Sequence, residues 1–406
     1  LRTDGPGVLL TGGRAPAALE LARALAEGGW RVHAAESLSR HLCRASRAVA
    51  GSHRVPAPAE DPGRYAAALA ELATREGLGA LVPACEEVFH IARYAQQLAA
   101  SGCRVLAAPL TALARLHSKW AFIRLAASYG FDVPHTRLLT SPAAWREAVE
   151  QTDERLVLKP VYSRFAANVT FVGAMPGIPA KRGAVGVSPA DHLIPPVSER
   201  YPWVAQQYVA GRELCAYAIA HEGRLAAFAV YESFYRAGRG ATVYFEALPH
   251  AALREWVGRF VALERFSGQI AFDFIETPEG RLYPLECNPR ATSGVHLFRG
   301  DGARLAAALL APERLDGVCL QPRAGAKAML TLPMLACGLA AQPTPRGALR
   351  WLGKLLTARD AVFRWRDPLP YAGQLGLLGE LARIGRKRGV SLMAASTLDM
   401  EWNGDA

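Results

Sequence analysis

Residues Gly268 to His296 read GQIAFDFIETPEGRLYPLECNPRATSGVH. Ile270, Phe272 and Phe274 alternate with Gln269, Ala271 and Asp273, the period of a strand whose side chains share a face two by two. Thr277-Pro278-Glu279-Gly280 interrupts that period with turn residues. Leu282, Pro284, Glu286 and Asn288 then alternate with Tyr283, Leu285 and Cys287, which predicts a hairpin. Pairing Glu276 with Arg281 sets Asp273 opposite Pro284 and diagonal to Glu286. Asp273, Glu286 and Asn288 then converge on one side. Two carboxylates and an amide oxygen so close repel unless a cation lies between them, and an all-oxygen set suits a hard divalent ion. Magnesium seldom takes a cage made of protein alone and borrows phosphate oxygens, so the hairpin predicts a nucleotide triphosphate site. A solvated acidic edge would carry the same Asp and Glu. The core-like flanks Phe272, Phe274 and Leu285, with Arg290 following, favour the metal.

FDFIE, the turn and LECNPR resemble the metal-binding end of ATP-grasp enzymes, close to the carbamoyl-phosphate-synthetase-like branch. The resemblance runs over residues 8 to 325. It implies that Asp273, Glu286 and Asn288 hold the Mg2+ ions of MgATP, and that Arg290 lies near the transferred phosphoryl group. It also implies three parts: an N-terminal Rossmann-like parallel-sheet domain over 1–112, an ATP-grasp domain over 113–325 with its lid at about 135–205, and a C-terminal helical extension over 326–406. The expected fold class is α/β and α+β.

A chain of 406 residues, 51% hydrophobic, is long enough for two or three domains with real cores and excludes disorder. No apolar run reaches the ~18 residues of a membrane span. Leu1 to Gly13 lacks the order of a signal peptide, so a cytoplasmic protein without a membrane partner is expected. Seven scattered cysteines without a CxxC pair predict reduced thiols and neither disulfides nor zinc. The net charge of +11 raises nucleic acid as a partner. The basic residues are dispersed, though, and do not interleave with aromatics, so none is expected. The one dense run, Arg383 to Arg388, reads as a polar helix face. Only six of the 47 basic residues are lysines. Lys119 and Lys159 fall where the ATP-grasp pattern places its phosphate-contacting lysines, a task that suits a compact ammonium.

Toward the N-terminus, Val8 to Thr11 predicts a buried strand, Pro16 to Glu27 a helix stopped by Gly28-Gly29, and Arg31 to Ala35 a second strand. Tyr65 to Glu76 follows as a helix, then strands at Ala80 to Pro83 and Arg104 to Ala107. This alternation predicts a parallel sheet. The Thr11-Gly12-Gly13 turn lacks GxGxxG spacing and is weak as a dinucleotide site. Glu86 ends a strand where α/β sheets place ligands, and fits either a substrate amine or a helix N-terminal acid.

Leu116 to Gly130 predicts one amphipathic helix with Lys119 near its start. Leu156-Val157-Leu158-Lys159-Pro160 embeds Lys159 in an apolar strand, where it needs a partner such as a phosphate oxygen. Ser163 to Asn168 lacks the glycines of the usual phosphate lid, with Arg164 as its candidate contact. Gly173 to Pro196 predicts an irregular excursion. The resemblance makes Trp203 to Val209 the adenine segment, with Gln206, Gln207, Tyr208 and Val209 as contacts. Glu213 fits the ribose hydroxyls or a strand-end salt bridge. His221-Glu222-Gly223-Arg224 predicts a hairpin turn. Arg236 and Arg239 fit an acyl-phosphate, the acid substrate or plain surface. Phe234, Tyr235 and Tyr244 fit an acceptor pocket or core. His296 fits a base, a substrate-orienting group or a packed residue. Beyond the shared core, Leu349 to Leu356 and Leu375 to Ile384 predict helices.

The resemblance implies an ATP-dependent carboxylate–amine ligase forming an amide through an acyl-phosphate and releasing ADP, with ATP and Mg2+ as cofactors. Lys159, Arg290 and Arg239 are its expected catalytic groups. Its partners would be a small carboxylate and an amine, amino acids among them, and a second copy of the chain is a further candidate. A carboxylate–thiol ligase, a carboxylase or kinase on the same site, and a non-catalytic nucleotide-binding module are the alternatives.

Overall fold

Val8, Leu9 and Leu10 are fully buried because β1 (Gly7–Thr11) lies between two parallel neighbours, as a continuous apolar run requires. The computed structural model describes residues 5–150, 155–163, 168–173, 194–237, 240–339, 342 and 344–404. Around β1 stand β2 (Arg31–Glu36), β3 (Gly51–Arg54), β4 (Leu78–Val82) and β5 (Arg104–Val105), in the order β3–β2–β1–β4–β5 and parallel throughout. The N-terminal parallel sheet is therefore as expected, with β3 added. That strand reads Gly-Ser-His-Arg and carries no apolar period to betray it. Helix α1 (Pro16–Glu27) has its predicted bounds. Helix α2 (Pro62–Glu76) starts earlier than Tyr65, because the Asp61 side chain accepts from Arg64 N and caps it.

After α3 (Glu87–Arg93) and α4 (Ala95–Ala100), the single helix expected from Leu116 is broken. The chain forms α5 (Leu110–His117) and α6 (Lys119–Ser128), joined at Ser118, whose hydroxyl accepts from Ala121 N. Strand β6 (Thr136–Leu139), helix α7 (Pro142–Glu150), β7 (Leu156–Pro160), β8 (Thr170–Val172) and β9 (Trp203–Gln207) follow. Their strands make an antiparallel sheet in the order β6–β9–β7–β8. Arg164, Arg239 and most of the predicted 173–196 excursion lie outside the described residues.

A third sheet, β11–β10–β15–β16, holds the opening motif. It is built from β10 (Arg212–His221), β11 (Arg224–Glu232), β15 (Gly268–Glu276) and β16 (Leu282–Asn288). Between β11 and β15 come β12 (Arg236–Ala237), β13 (Ala241–Thr242), β14 (Tyr244–Glu246) and α8 (Ala251–Leu263). The predicted register is corrected twice. The turn is one residue longer, so Glu276 pairs with Leu282 and Phe274 with Pro284. Leu285 then bulges out unpaired, which sets Asp273 directly opposite Glu286 and Ala271 opposite Asn288.

Toward the C-terminus, α9 (Gly302–Leu310) packs on α1. Strand β17 (Lys327–Met329) pairs with β14 and with β18 (Arg359–Asp360). Short α10 (Thr331–Pro333) leads to α11 (Pro345–Thr357). Then come α12 (Leu369–Arg388) and α13 (Leu392–Ala395). Both predicted helices of this region exist and are longer than their apolar periods. One buried cluster joins Val8 of the first sheet and Leu19 of α1 to Tyr217, Val295 and Leu305. A second joins Phe122 of α6 to Phe260, Phe272 and Phe274.

Candidate active site

A cleft of about 640 Å³ opens between the sheet containing β7 and β9 and the sheet containing β10, β15 and β16. It brings together Lys119, Lys159, Gln206, Gln207, Tyr208, Val209, Glu213, Asp273 and Glu286, residues drawn from 168 positions of chain. Leu214, Phe274, Ile275 and Leu285 line it with Val157 and Phe171, an apolar setting wide enough for a purine.

Asp273 and Glu286 face one another across β15 and β16 but stand in different fields. Burial, and then the neighbouring Glu286, push the Asp273 carboxyl up to about 8. Burial also opposes the charge on Glu286, but Lys119 and Lys159 outweigh it and hold that carboxylate well below its ordinary range. Lys119 Nζ lies 3.2 Å from Glu286 Oε2 and donates to Ser163 O at 3.1 Å. Lys159 Nζ donates to the carbonyl of the bulged Leu285 at 3.3 Å. Burial pushes the Lys159 ammonium down to about 8, against the pull of Glu286. The pair thus carries one proton at neutral pH, because two carboxylates this close cannot both ionise cheaply. A divalent cation would take that proton's place. Among the described residues no group of three His, Cys, Asp or Glu side chains is placed to hold a metal ion, so such an ion needs oxygens from its ligand.

Across β10, Cys215 pairs with Asp273, and across β11 Tyr231 pairs with Cys215. A row Glu286–Asp273–Cys215–Tyr231 therefore crosses four strands. The register sets Cys215 beside Asp273 on one face of the sheet. Nothing in the sequence singles out Cys215. Only the cross-strand register does.

Asn288 and Arg290 lie at the far end of β16 and do not line the cleft. Arg290 donates to Asn288 Oδ1 at 3.2 Å and stands 3.5 Å from Glu86 Oε1. Asn288 Nδ2 faces Glu286 at 3.5 Å, so holding a cation requires the opposite amide orientation. Glu86 precedes α3 without capping it. Its carboxylate faces Arg290 and, at 3.8 Å, His117.

The segment expected to meet adenine offers fewer free groups than its four named residues. Strand β9 is paired on both edges, and the Gln206 and Gln207 side chains serve Thr136 Oγ1 at 3.3 Å and His135 N at 3.2 Å. The Gln207 and Tyr208 N–H groups donate to His135 O and Arg155 O. Among the described residues the Val209 N–H donates to nothing, which leaves the Tyr208–Val209 step as the open backbone edge. Glu213 forms the strand-end ion pair, with Arg236, whose Nε donates to Ser233 Oγ at 3.0 Å. His296 is packed at 2% exposure, 3.8 Å from Glu20 and against Phe245, outside the cleft. Thr11 Oγ1 donates to Glu87 Oε1, so the Thr11-Gly12-Gly13 turn is tied to the start of α3. All seven cysteines are free. No described helix is long and apolar enough to cross a membrane.

No family model and no curated protein matches the sequence. Solved structures do match the fold. The L-amino acid ligase from Bacillus licheniformis superposes with a TM-score of 0.56 at 14% identity, covering 78% of each chain. N5-carboxyaminoimidazole synthetase from Staphylococcus aureus gives 0.53 at 14% identity over 72% of each chain. The biotin carboxylase domain dimer of the Hydrogenobacter thermophilus 2-oxoglutarate carboxylase, in complex with MgADP, ADP and bicarbonate, gives 0.56 at 14% identity, over 77% of this chain and 70% of that one. The chain has the ATP-grasp fold.

Proposed function

We propose that the chain is an ATP-dependent carboxylate–amine ligase that forms an amide through an acyl-phosphate and releases ADP and phosphate. One observation carries this reading: two facing carboxylates and two buried lysines at one end of a nucleotide-sized apolar cleft. Val157, Phe171 and Leu214 would enclose the purine, with the Tyr208 carbonyl and Val209 N–H along its edge. Glu213, released from Arg236, would accept from the ribose. Lys119 and Lys159 would hold phosphate oxygens in a site dry enough to make each contact strong. Asp273, Glu286 and Asn288 would hold magnesium, which supplies charge neutralisation of the phosphates when bound. Phosphoryl transfer needs little beyond such positioning. The substrate carboxylate oxygen attacks the γ-phosphorus, and the bond to the β-phosphate oxygen breaks with ADP as leaving group. The amine then adds to the acyl carbon, loses a proton and expels phosphate. Arg290 would steady the acyl-phosphate, Glu86 beside it fits the incoming ammonium, and Arg239 is a further candidate.

Carboxylation is the second reading, because a structural neighbour with this fold is a biotin carboxylase domain in complex with MgADP, ADP and bicarbonate. ADP release with acid alone, trapped by hydroxylamine as a hydroxamate, tests the first reading. ADP release with bicarbonate alone and no hydroxamate from any acid would favour the second. AMP and pyrophosphate as products would overturn both.

A further inference from the structure

A second pocket, of about 400 Å³, lies outside the nucleotide cleft, between the loop leading into β12 and helix α11. Phe234, Tyr235 and Tyr244 form aromatic walls, and Arg350 and Lys354 enter from α11. Phe234 stays 49% exposed although it meets Tyr235 edge-on at 4.9 Å. Tyr235 itself is 1% exposed, and its buried hydroxyl has no hydrogen-bond partner among the described residues.

Charge decides what the pocket would take. Glu246 is already over-matched, by Lys354, by Lys327 at 3.1 Å and by the Tyr244 hydroxyl at 3.0 Å. Glu232, at the pocket's other side, stands 4.0 Å from Arg212, which it shares with Glu276, so the two lysines on Glu246 and Arg350 still exceed the two lining carboxylates by one charge. Arg350 has no ion-pair or hydrogen-bond partner among the described residues, so one guanidinium is left over beside aromatic faces. A guanidinium grips a carboxylate through two parallel hydrogen bonds, and aromatic walls favour an apolar body.

We propose that this pocket binds a small organic acid with an aromatic or branched apolar body, its carboxylate on Arg350 and its body against Phe234 and Tyr244. The volume falls at the low end for ligand pockets, which suits a monocarboxylate with a single ring. Arg350 and Lys354 lie beyond residue 325, so the extension supplies the pocket's cations while its aromatic walls come from the segment that resembles ATP-grasp enzymes.

Saturation-transfer NMR and calorimetry on the full chain test it, with benzoate, 3-phenylpropionate, indole-3-acetate and 4-methylvalerate as probes. At least one acid should bind, MgADP should not displace it, and Arg350→Ala should weaken it by about tenfold or more, the loss of one charge-assisted contact. Phe234→Ala should weaken ring-bearing acids more than 4-methylvalerate. Failure of every acid to bind at millimolar concentration, equal affinity in Arg350→Ala, or displacement by MgADP would each overturn the proposal. MgADP binding, read in the same titrations, reports on the nucleotide cleft separately.

Discussion

Amide substitutions at Asp273 and at Glu286 should affect the nucleotide-free fold differently, because burial raises the first carboxyl and the lysines lower the second. Asp273 already holds the shared proton, so Asp273→Asn replaces a neutral group with a neutral group of the same shape. Its melting temperature should stay level or rise. Glu286 is the acidic partner of Lys119, which is 3% exposed. Glu286→Gln leaves that ammonium with the Ser163 carbonyl alone and should cost about 1–3 kcal/mol, the price of a charged group short of a partner. The Glu286 side chain is 28% exposed, which keeps the loss below that of a fully buried pair. Both variants should lose turnover, and the double variant should lose little more, because both acids serve one charge cluster. Urea denaturation beside ADP release separates the two effects, and equal destabilisation would contradict the proton assignment. Lys159→Ala should shrink the thermal stabilisation given by MgADP without changing the ligand-free melt by the same margin. Lys159 and the Asp/Glu pair were legible in the sequence because a lysine inside an apolar strand and two acids beside core residues violate ordinary burial. Cys215 was not legible, since its contact depends on which strand lies alongside.

Elements place these groups more finely than periodicity can reveal. Apolar spacing runs through Leu113, Leu116, Phe122 and Ile123 as if one helix spanned them, yet Ser118 adopts extended backbone and starts α6 afresh. Lys119 thereby becomes the first residue of a helix, held between Ser163 and Glu286. Ser118→Ala removes the cap of Ala121 N and should cost about 1 kcal/mol. It should also raise the KM for ATP, because the lysine is positioned by that helix start. An unchanged KM with the expected stability loss would confine Ser118 to a structural role. The hairpin repeats the lesson. Alternation in β15 and β16 gave the strands and the turn gave their antiparallel sense, but the bulge at Leu285 leaves no mark in composition. Without it Glu286 would fall opposite Phe272 and point to the face away from Asp273, and the Leu285 carbonyl would not turn toward Lys159.

Across the whole molecule, residues beyond 326 do not gather in one place. Asp367 pairs with Arg23 at 2.9 Å, Asp399 with Arg14 at 2.7 Å, and α11 packs beside β14 and β17. The two ion pairs span more than 340 positions, beyond the reach of any local pattern. Trp402 is the point where this matters for the site. At 6% exposure it stacks on Phe89 at 4.7 Å, meets Tyr162 edge-on at 5.4 Å and abuts His117 at 6.4 Å. Tyr162 adjoins Ser163, and His117 adjoins Ser118 and Lys119. Burial, with Arg93, pushes His90 down to about 4. Burial, with Lys119 and Arg290, pushes His117 down to about 3. Both therefore fold as neutral imidazoles. Below pH ~6.5 the unfolded chain takes up protons that the folded chain refuses, so stability should fall as the pH drops toward 4. Trp402→Ala should cost about 3–5 kcal/mol as a buried ring is lost. It should also admit water to His117 and flatten that pH slope. Loosening Tyr162 should raise the KM for ATP, and Trp402→Phe, which keeps a ring on Phe89, should recover most of each loss. Denaturation from pH 7 to pH 4.5 and steady-state kinetics measure all three. A variant that loses stability but keeps the wild-type slope and KM would reduce Trp402 to packing alone.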